Sequence, residues 1–245
     1  MNLSMILIVL KRQLYSYFAT SIAYVFIFMF LVLAGVFTFY LGHFFEKGQA
    51  DLSAFFTLHP WLYLFFMPAI AMGLWAPERE AGTIELLMTL PIGLANAVVG
   101  KFLAAWLFAG VALLLTFPIW ISVNYLGSPD NGVIVAGYLG SWLMAGAFLA
   151  VGSCMSASTK NQIVAFILTI FICFFFILSG LPMVLDAFAF APQVVIDFIA
   201  SLSFLMHFDA ISRGVLDLRD VIYFVAFILL WLYLTLQVLQ RQKDQ

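Results

Sequence analysis

The sequence has little charge and little cysteine, and each shortage excludes classes of protein. Only 9% of its residues are charged, whereas soluble domains carry about 25%. The net charge is −2 and no basic patch occurs, so nothing in the sequence points to nucleic acid as a partner. The only two cysteines, Cys154 and Cys173, lie in apolar runs, where buried thiols are expected rather than a disulfide framework or a metal cluster.

Apolar residues take the place of the missing charge. They make up 65% of the chain and the mean hydropathy is +1.13. Apolar runs of about twenty residues recur, which is the length that a helix needs to cross a bilayer. The sequence therefore predicts an all-α polytopic membrane protein. Once the spans are placed, 245 residues leave no room for a separate soluble domain, and we expect one transmembrane domain over residues 1–245.

Hydropathy and helix-breaking residues predict six spans. The second span is short, at about 16 residues or roughly 24 Å, and Pro68 interrupts it. Small residues at four-residue spacing mark the fourth span as a closely packed helix. The predicted spans are Thr20–Gly42, Trp61–Ala76, Val98–Asn124, Val133–Ala157, Gln162–Val184 and Val221–Gln240.

The lysines and arginines set the predicted orientation. With the N-terminus inside, the cytoplasmic segments hold seven of the ten basic residues and the outer segments hold three. The opposite orientation would break the positive-inside rule, so both termini are expected in the cytoplasm. The inner set is Lys11, Arg12, Arg79, Lys101, Lys160, Arg241 and Lys243, and the outer set is Lys47, Arg213 and Arg219.

Two apolar segments do not have the pattern of a span. In residues 1–19 the apolar stretch Leu3–Leu10 precedes Lys11 and Arg12, the reverse of a signal peptide, so we expect an amphipathic helix in the inner interface. A cytoplasmic extension of the first span is the alternative. In residues 181–206, prolines and aspartates interrupt the apolar pattern, which favours short re-entrant helices at the outer side. The interrupting residues are Pro182, Asp186, Pro192 and Asp197.

The segment Ala76–Pro91 concentrates charge between apolar runs. Its ionised residues are Glu78, Arg79, Glu80 and Glu85. Each would cost about 2.5–3.5 kcal/mol at bilayer depth, so the segment must lie in water. At helical spacing Glu78, Gly82 and Glu85 share one face and apolar residues lie opposite. We therefore expect an amphipathic cytoplasmic helix over residues 77–92, with a solvated loop as the alternative.

This segment resembles the signature of a known family. The run Glu78–Arg79–Glu80, then Gly82 to Leu87, then Leu90–Pro91–Ile92 is similar to the motif of type-two ABC exporter permeases, the transmembrane subunits of ABC-2 type transporters. Within that family the chain most resembles the gliding-motility-associated permeases. The predicted interfacial helix, six spans and outer re-entrant region agree with the family over nearly the whole chain. The resemblance implies a permease of the bacterial inner membrane that exports a substrate.

The resemblance also implies roles for particular residues. The acidic helix between spans two and three would be the coupling helix that docks on a separate ATPase subunit, with a second contact near Ser156–Gln162. The implied coupling residues are Glu78, Arg79, Glu80, Gly82, Thr83 and Glu85. Spans two and five would line a translocation cavity, although the phenylalanines fit a lipid-facing stripe equally well. The candidate cavity residues are Phe65, Met67, Pro68, Met72, Phe171, Phe174, Phe175 and Ser179.

The chain is not expected to hydrolyse ATP itself. A phosphate-binding loop needs G-x-x-x-x-G-K-[ST], and the nearest match, at Gly100–Lys101, has Ala95 for the first glycine and Phe102 for the hydroxyl residue. ATP and Mg²⁺ would bind the partner ATPase, and this chain would carry no cofactor and no catalytic residue. The resemblance further implies a second copy or a related permease, and some relatives work with an auxiliary membrane subunit that has an extracytoplasmic domain.

Three other functions remain as alternatives. An ion-coupled transporter usually carries ionisable residues near the middle of its spans, and none is predicted there. A membrane lipid enzyme needs paired carboxylates, histidines or a nucleophile at an interface, which the charged segment supplies only in part. A non-transporting assembly or scaffold subunit also fits the sequence. A metal site is not expected, because His43, His59 and His207 fall in predicted outer segments without ligand spacing.

Overall fold

The computed structural model describes residues 2–48, 50–84, 93–187 and 190–243, and the regular structure in those ranges is helical. In the first half the helices are α1 (Leu3–Phe18), α2 (Ser21–Val36, continued by a π-helical turn at Phe37–Leu41), α3 (Phe44–Lys47), α4 (Ser53–Ala71), α5 (Ala76–Glu80), α6 (Leu94–Leu114) and α7 (Phe117–Leu126). In the second half they are α8 (Asn131–Ser158), α9 (Gln162–Leu178), α10 (Pro182–Ala187), α11 (Gln193–Ser201), α12 (Phe204–Ser212) and α13 (Leu218–Lys243).

The prediction of an all-helical membrane protein is confirmed, with five to six candidate spans in the described ranges. Five helical stretches are long and apolar enough to cross a bilayer, and the bent pair α11–α12 makes a sixth if it is counted as one span. The predicted fifth span, α9, has 17 residues, about 25 Å, and lies at the lower limit for crossing. The five stretches are Ser21–Glu46, Ser53–Glu80, Leu94–Leu126, Asn131–Ser158 and Leu218–Arg241.

Two predicted span boundaries differ from the structure by more than five residues. α4 begins at Ser53 rather than at Trp61, so His59 lies buried inside a helix and not in an outer segment. Its Nδ1 pairs with the Phe55 carbonyl oxygen at 2.9 Å, and aromatic rings surround it. This internal partner makes a polar residue tolerable in an apolar helix. α9 ends at Leu178, before the proline that begins α10.

α8 forms the centre of the bundle. Its residues from Met144 to Val151 are all buried, and α4, α6, α9, α12 and α13 pack against it. Small residues permit this approach: at Gly152 a single added methyl group would overlap the side chain of Ala71 on α4. The close packing that the sequence predicts for the fourth span is confirmed.

α1 packs lengthwise along α6. A hydrogen bond joins the Asn2 backbone N–H to the Asn96 side chain at one end, and Tyr17 stacks on Phe108 at the other. Between these contacts, α1 side chains close over Gly100. Burial raises the pKa of the Tyr17 phenol to about 12. The order of these contacts along both helices shows that α1 and α6 run side by side in the same direction. α1 is thus anchored on a span along its length rather than through its ends alone.

The segment after α9 folds into the short helices α10, α11 and α12. α11 and α12 meet at a bend of 65°. Phe204, Phe208 and Ile211 of α12 are buried, whereas none of the α11 side chains is. His207 of α12 also pairs with Asp220 of α13 at 2.6 Å, which ties the segment to the last span. Short helices were predicted for residues 181–206; the helical part extends to residue 212.

The packing at Gly152 predicts an effect on stability. We expect Gly152→Ala to lower the melting temperature of the purified protein in detergent, because overpacking a tight contact costs about 1–3 kcal/mol. Gly35→Ala is the matched control, since an added Cβ on Gly35 of α2 meets no atom within 4 Å. It should leave the melting temperature unchanged or raise it. Equal melting temperatures for the two variants would contradict the close approach of α4 and α8.

Candidate functional site

The charged segment begins at a break in the second span. α4 ends at Ala71 and α5 begins at Ala76, and the residues between them form turns. Pro77 explains the break, because proline lacks the N–H that the carbonyl four residues earlier, at Gly73, would bind in a helix. The break leaves backbone groups without helical partners, and inside a membrane bundle each of them needs another partner.

The hydroxyl of Ser156, on α8, is inserted into this break. Its Oγ accepts hydrogen bonds from the backbone N–H groups of Trp75 and Ala76, both at 3.0 Å. The same hydroxyl donates to the Met72 carbonyl oxygen at 2.8 Å. In an uninterrupted helix the Ala76 N–H would bond that carbonyl directly. One side chain of α8 thus replaces a main-chain hydrogen bond and holds the bend in a defined geometry.

Lys101, on α6, holds the break from another side. Its ammonium donates to the Leu74 carbonyl oxygen at 2.7 Å and lies 4.3 Å from the centre of the Trp75 ring. It also pairs with the Glu78 carboxylate at 2.5 Å, although only 5% of Lys101 is exposed. Trp75 in turn donates from Nε1 to the Ser153 hydroxyl of α8 at 3.1 Å. The indole is therefore held between α6 and α8, and the buried ammonium has both a counter-charge and a carbonyl partner.

Arg79 adds a further contact to α8. Its Nη1 donates to the Ala157 carbonyl oxygen at 2.8 Å. α8 ends at the next residue, so the guanidinium also complements the negative end of the helix dipole. We call residues 72–79, together with Lys101, Ser153 and Ser156, the braced corner.

The four residues that follow Arg79 are exposed. Residues 80–83, which we call the exposed tip, comprise Glu80, Ala81, Gly82 and Thr83, and all four are exposed. Gly82 has a φ of +69°, a left-handed conformation that costs glycine little. α5 stops at Glu80, so the described residues do not form the single helix expected over 77–92. Glu85 and residues 86–92 lie outside the described residues.

The predicted coupling residues therefore divide into two groups. The charged ends of Glu78 and Arg79 bind α6 and α8 of the same chain. Glu80, Gly82 and Thr83 project from the surface, and Thr83 donates back to the Glu78 carbonyl oxygen at 3.3 Å. The sequence cannot separate neighbours such as Glu78 and Glu80, because the separation depends on which of them meets a distant partner.

The structure adds Lys101, Ser153 and Ser156 to the candidate site. A lysine inside an apolar helix needs an anionic or carbonyl partner, and the charged segment supplies carboxylates close by in the sequence. That signal could have linked Lys101 to Glu78. Ser156 was expected at a second cytoplasmic contact and is fully buried instead. The serines carry no comparable signal, since small hydroxyl residues are common at any tight membrane-helix contact.

The predicted cavity residues, all of which the structure describes, are not brought together within one chain. α4 and α9 do pack against each other, and Met67, Pro68 and Ser179 are buried. Met72 contributes its carbonyl to the braced corner. The phenylalanines are instead exposed, one on α4 and three on α9. Their exposed fractions are 58% for Phe65, 73% for Phe171, 37% for Phe174 and 59% for Phe175.

A cavity lies where α12 covers the ends of α4 and α9. Its volume is about 250 Å³. α12 approaches closely there, because a side chain added at Gly180 would collide with Ser203. Residues that line it include Thr57, Pro60, Gly180, Met206, Asp209 and Ser212. α12 therefore caps the predicted outer ends of the two helices that were expected to line a translocation path.

The contacts of the braced corner hold a bend between two helices in place. Its charged groups bind one another or backbone carbonyls, and its hydroxyls satisfy a broken helix. In the described part of the chain no three potential metal ligands group together. The arrangement is suited to holding a bend rigid and presenting the exposed tip at a fixed position.

The insertion of Ser156 predicts a stability loss. We expect Ser156→Ala to destabilise the protein by about 1–3 kcal/mol, because two N–H groups and one carbonyl at the break lose their partner. Thermal unfolding in detergent measures the effect. Ser158→Ala is the control, since the Ser158 hydroxyl bonds Cys154 of its own helix and does not contact the break. Equal melting temperatures for these two variants would show that the break is satisfied in another way.

The chain matches a known family over most of its length. The profile of the ABC-2 family transporter proteins covers residues 22–243, from the start of α2 to the end of α13. No curated protein matches the chain. Permeases of this family are transport subunits that generally lack enzymatic activity and that work with a partner ATPase subunit. The match and the five to six candidate spans agree, and the chain therefore belongs to the ABC-2 family, as a membrane permease subunit of an ABC transporter.

Proposed function

We propose that this permease subunit serves an ATP-driven exporter and that its partner ATPase binds the exposed tip, Glu80 to Thr83. The observation that supports this proposal is the contrast between the exposed tip and the braced corner that precedes it. The tip projects from the surface, while the residues just before it are held by α6 and α8. A force applied to such a tip moves the helices that hold it, whereas a force on a loose loop is lost in bending.

The tip has the chemistry of a docking surface. Glu80 offers a carboxylate, and the left-handed turn at Gly82 allows a partner to approach the backbone closely. An ATPase surface with basic residues would complement Glu80. Glu78 and Arg79, which the family resemblance also implicates, support docking indirectly, because they fix the direction in which the tip leaves α5.

In this proposal, movement of the braced corner drives the transport cycle. ATP and Mg²⁺ bind the ATPase subunits, and closure of these subunits pushes on the tip. The corner, α6 and α8 move as a near-rigid body because side chains from both helices hold the break. α8 contacts α4, α9, α12 and α13, so the displacement spreads through the bundle.

A second permease, either another copy or a relative, completes the translocation path in this proposal. The exposure of Phe65, Phe171, Phe174 and Phe175 supports it, because one chain leaves these rings uncovered. Between two chains they would line a cavity with Met72 at its edge, while the buried Met67, Pro68 and Ser179 would support its wall from inside the bundle. α12 would act as the outer gate, since it covers the ends of α4 and α9.

The finer points of the family resemblance belong to the same proposal. They are membership of the gliding-motility-associated subgroup, a bacterial inner membrane with both termini in the cytoplasm, and an auxiliary subunit with an extracytoplasmic domain. The excess of lysine and arginine on the predicted inner side supports the orientation. α1 would lie at the inner side, alongside the first half of α6.

One observation favours the ion-coupled alternative. His59 is an ionisable residue buried in a candidate span, and its Nε2 has no hydrogen-bond partner. Such residues mark proton or ion paths in some transporters. Transport by vesicles that carry the permease and its ATPase would then depend on a proton gradient. Transport that an uncoupler leaves unchanged while ATP is supplied would exclude this alternative.

Reversing the charge of the tip tests the docking proposal. We expect Glu80→Lys to prevent co-purification of the ATPase and to reduce permease-stimulated ATP hydrolysis roughly tenfold, a cost of about 1.4 kcal/mol. Glu46→Lys, an exposed glutamate on the predicted outer side, is the matched control and should leave both unchanged. Normal co-purification with Glu80→Lys would refute docking at the tip. Failure of the wild-type chain to stimulate its ATPase would favour a scaffold role.

The position of the tip relative to the membrane has its own test. We expect a cysteine in Thr83→Cys to react with a membrane-impermeant maleimide only after cells are permeabilised, because the tip lies in the cytoplasm. Asp130→Cys on the predicted outer side is the control and should react in intact cells. Cys154 and Cys173 are buried and should not contribute. Labelling of Thr83→Cys from outside would overturn the exporter orientation.

A further inference from the structure

Lys101 joins three structural elements at one atom. Its ammonium binds the Glu78 carboxylate of α5, the Leu74 carbonyl at the break and the face of the Trp75 ring. It is anchored on α6, the span that follows the exposed tip in the chain. Each of these three contacts joins α6 to the braced corner, and none of them depends on the covalent connection through residues 85–92.

The same contacts extend to α8. The Trp75 ring lies under the Lys101 ammonium while its Nε1 donates to Ser153 of α8. The backbone N–H of Trp75 donates to Ser156, one turn further along α8. Trp75 is thus held by Lys101 of α6 at the face of its ring, and by Ser153 and Ser156 of α8 through its Nε1 and its backbone N–H. Displacement of Trp75 therefore acts on both spans at once.

A buried ammonium such as that of Lys101 destabilises the fold unless all of its partners are present. An ammonium that is almost fully buried is tolerated only with its partners in place, and removal of one member of a buried pair leaves the other uncompensated. Hydrophobic packing alone would hold α6 against the corner without this cost. A buried charge at this position therefore calls for a role besides stability.

We propose that Lys101 is a positioning residue that transmits movement of the ATPase-bound tip to α6 and α8. This inference rests on the proposed function, since it requires an ATPase at the tip. Lys101 touches neither ATP nor the docking surface; it acts through Glu78, Leu74 and Trp75. Without it, the corner would still present the tip, but α6 would no longer follow the corner through the ion pair.

The test uses the assembled complex of permease and ATPase. Lys101→Met removes the charge, and the double variant Glu78→Gln with Lys101→Met removes both charges so that no buried carboxylate is left unpaired. We expect both to retain the ATPase on co-purification. We expect permease-stimulated ATP hydrolysis to fall about tenfold, within the range that loss of one coupling contact produces. Lys101→Arg keeps a cation with several donors and should restore most of the stimulation.

A second readout separates transmission from stability. Nitroxide labels on Leu107→Cys and Asn131→Cys, both outside the tip and the braced corner, report the distance between α6 and the far end of α8. In the parent complex α6 and α8 move together, so trapping with ATP and vanadate should leave this distance nearly unchanged. In the double variant α6 should no longer follow the corner, so trapping should shift the distance although the melting temperature is retained.

The outcomes are distinguishable. Unchanged stimulation, with a distance that trapping leaves unchanged in a folded double variant, would overturn the role of Lys101 and leave docking at the tip intact. Loss of the ATPase from the Lys101→Met complex would overturn it too, because Lys101 would then act on docking. If the ATPase does not bind at Glu80 in the wild-type chain, the proposed function is refuted instead. Co-purification of the ATPase with Glu80→Lys tests that point separately.

Discussion

A helix that breaks inside a membrane bundle must find new partners for its backbone, and this requirement organises the corner where α4 passes into α5. Leu74, Trp75 and Ala76 are fully buried, so side chains from neighbouring helices have to supply the missing hydrogen bonds. Ser156 meets one carbonyl and two N–H groups, and Lys101 meets another carbonyl. The break is consequently not a loose point. It is a bend whose geometry is set by α6 and α8, and the position of the exposed tip follows from it.

The same helix that forms the core also holds the corner. α8 is packed through small residues, which bring α4 close enough for Ser153 and Ser156 to reach the break. A larger residue at Gly152 would separate the two helices and withdraw both hydroxyls. Core packing and polar contacts are therefore linked: the close approach places the serines, and the serines make a broken backbone tolerable. This link explains how a short charged segment can be rigidly joined to an apolar bundle.

The sequence predicts those features that depend on local composition. Long apolar runs identify the spans, and the charge of residues 78–85 marks a segment that must leave the bilayer. Features that depend on distant partners escape it. The start of α4 escapes it for a local reason, because His59 has the polarity of a loop residue but bonds the Phe55 carbonyl within its own helix. Glu78 and Glu80 are alike in the sequence, and only the location of Lys101 on the next span separates them. The outward position of Phe171 and Phe175 likewise follows from the face of α9 that meets α8 and α4.

Pairing within the corner also determines which charges are left for a partner. The ammonium of Lys101 offsets the carboxylate of Glu78, and Arg79 is directed to the end of α8. Glu80 is then the charged residue of the described segment that faces away from the bundle. Contacts made by an exposed carboxylate are screened by salt over about 10 Å, whereas a buried pair is screened much less. Under the proposed function, docking and transmission therefore rest on chemically different contacts in adjacent residues. In that proposal an ATPase binds and releases the tip without disturbing the buried contacts that connect the tip to α6 and α8.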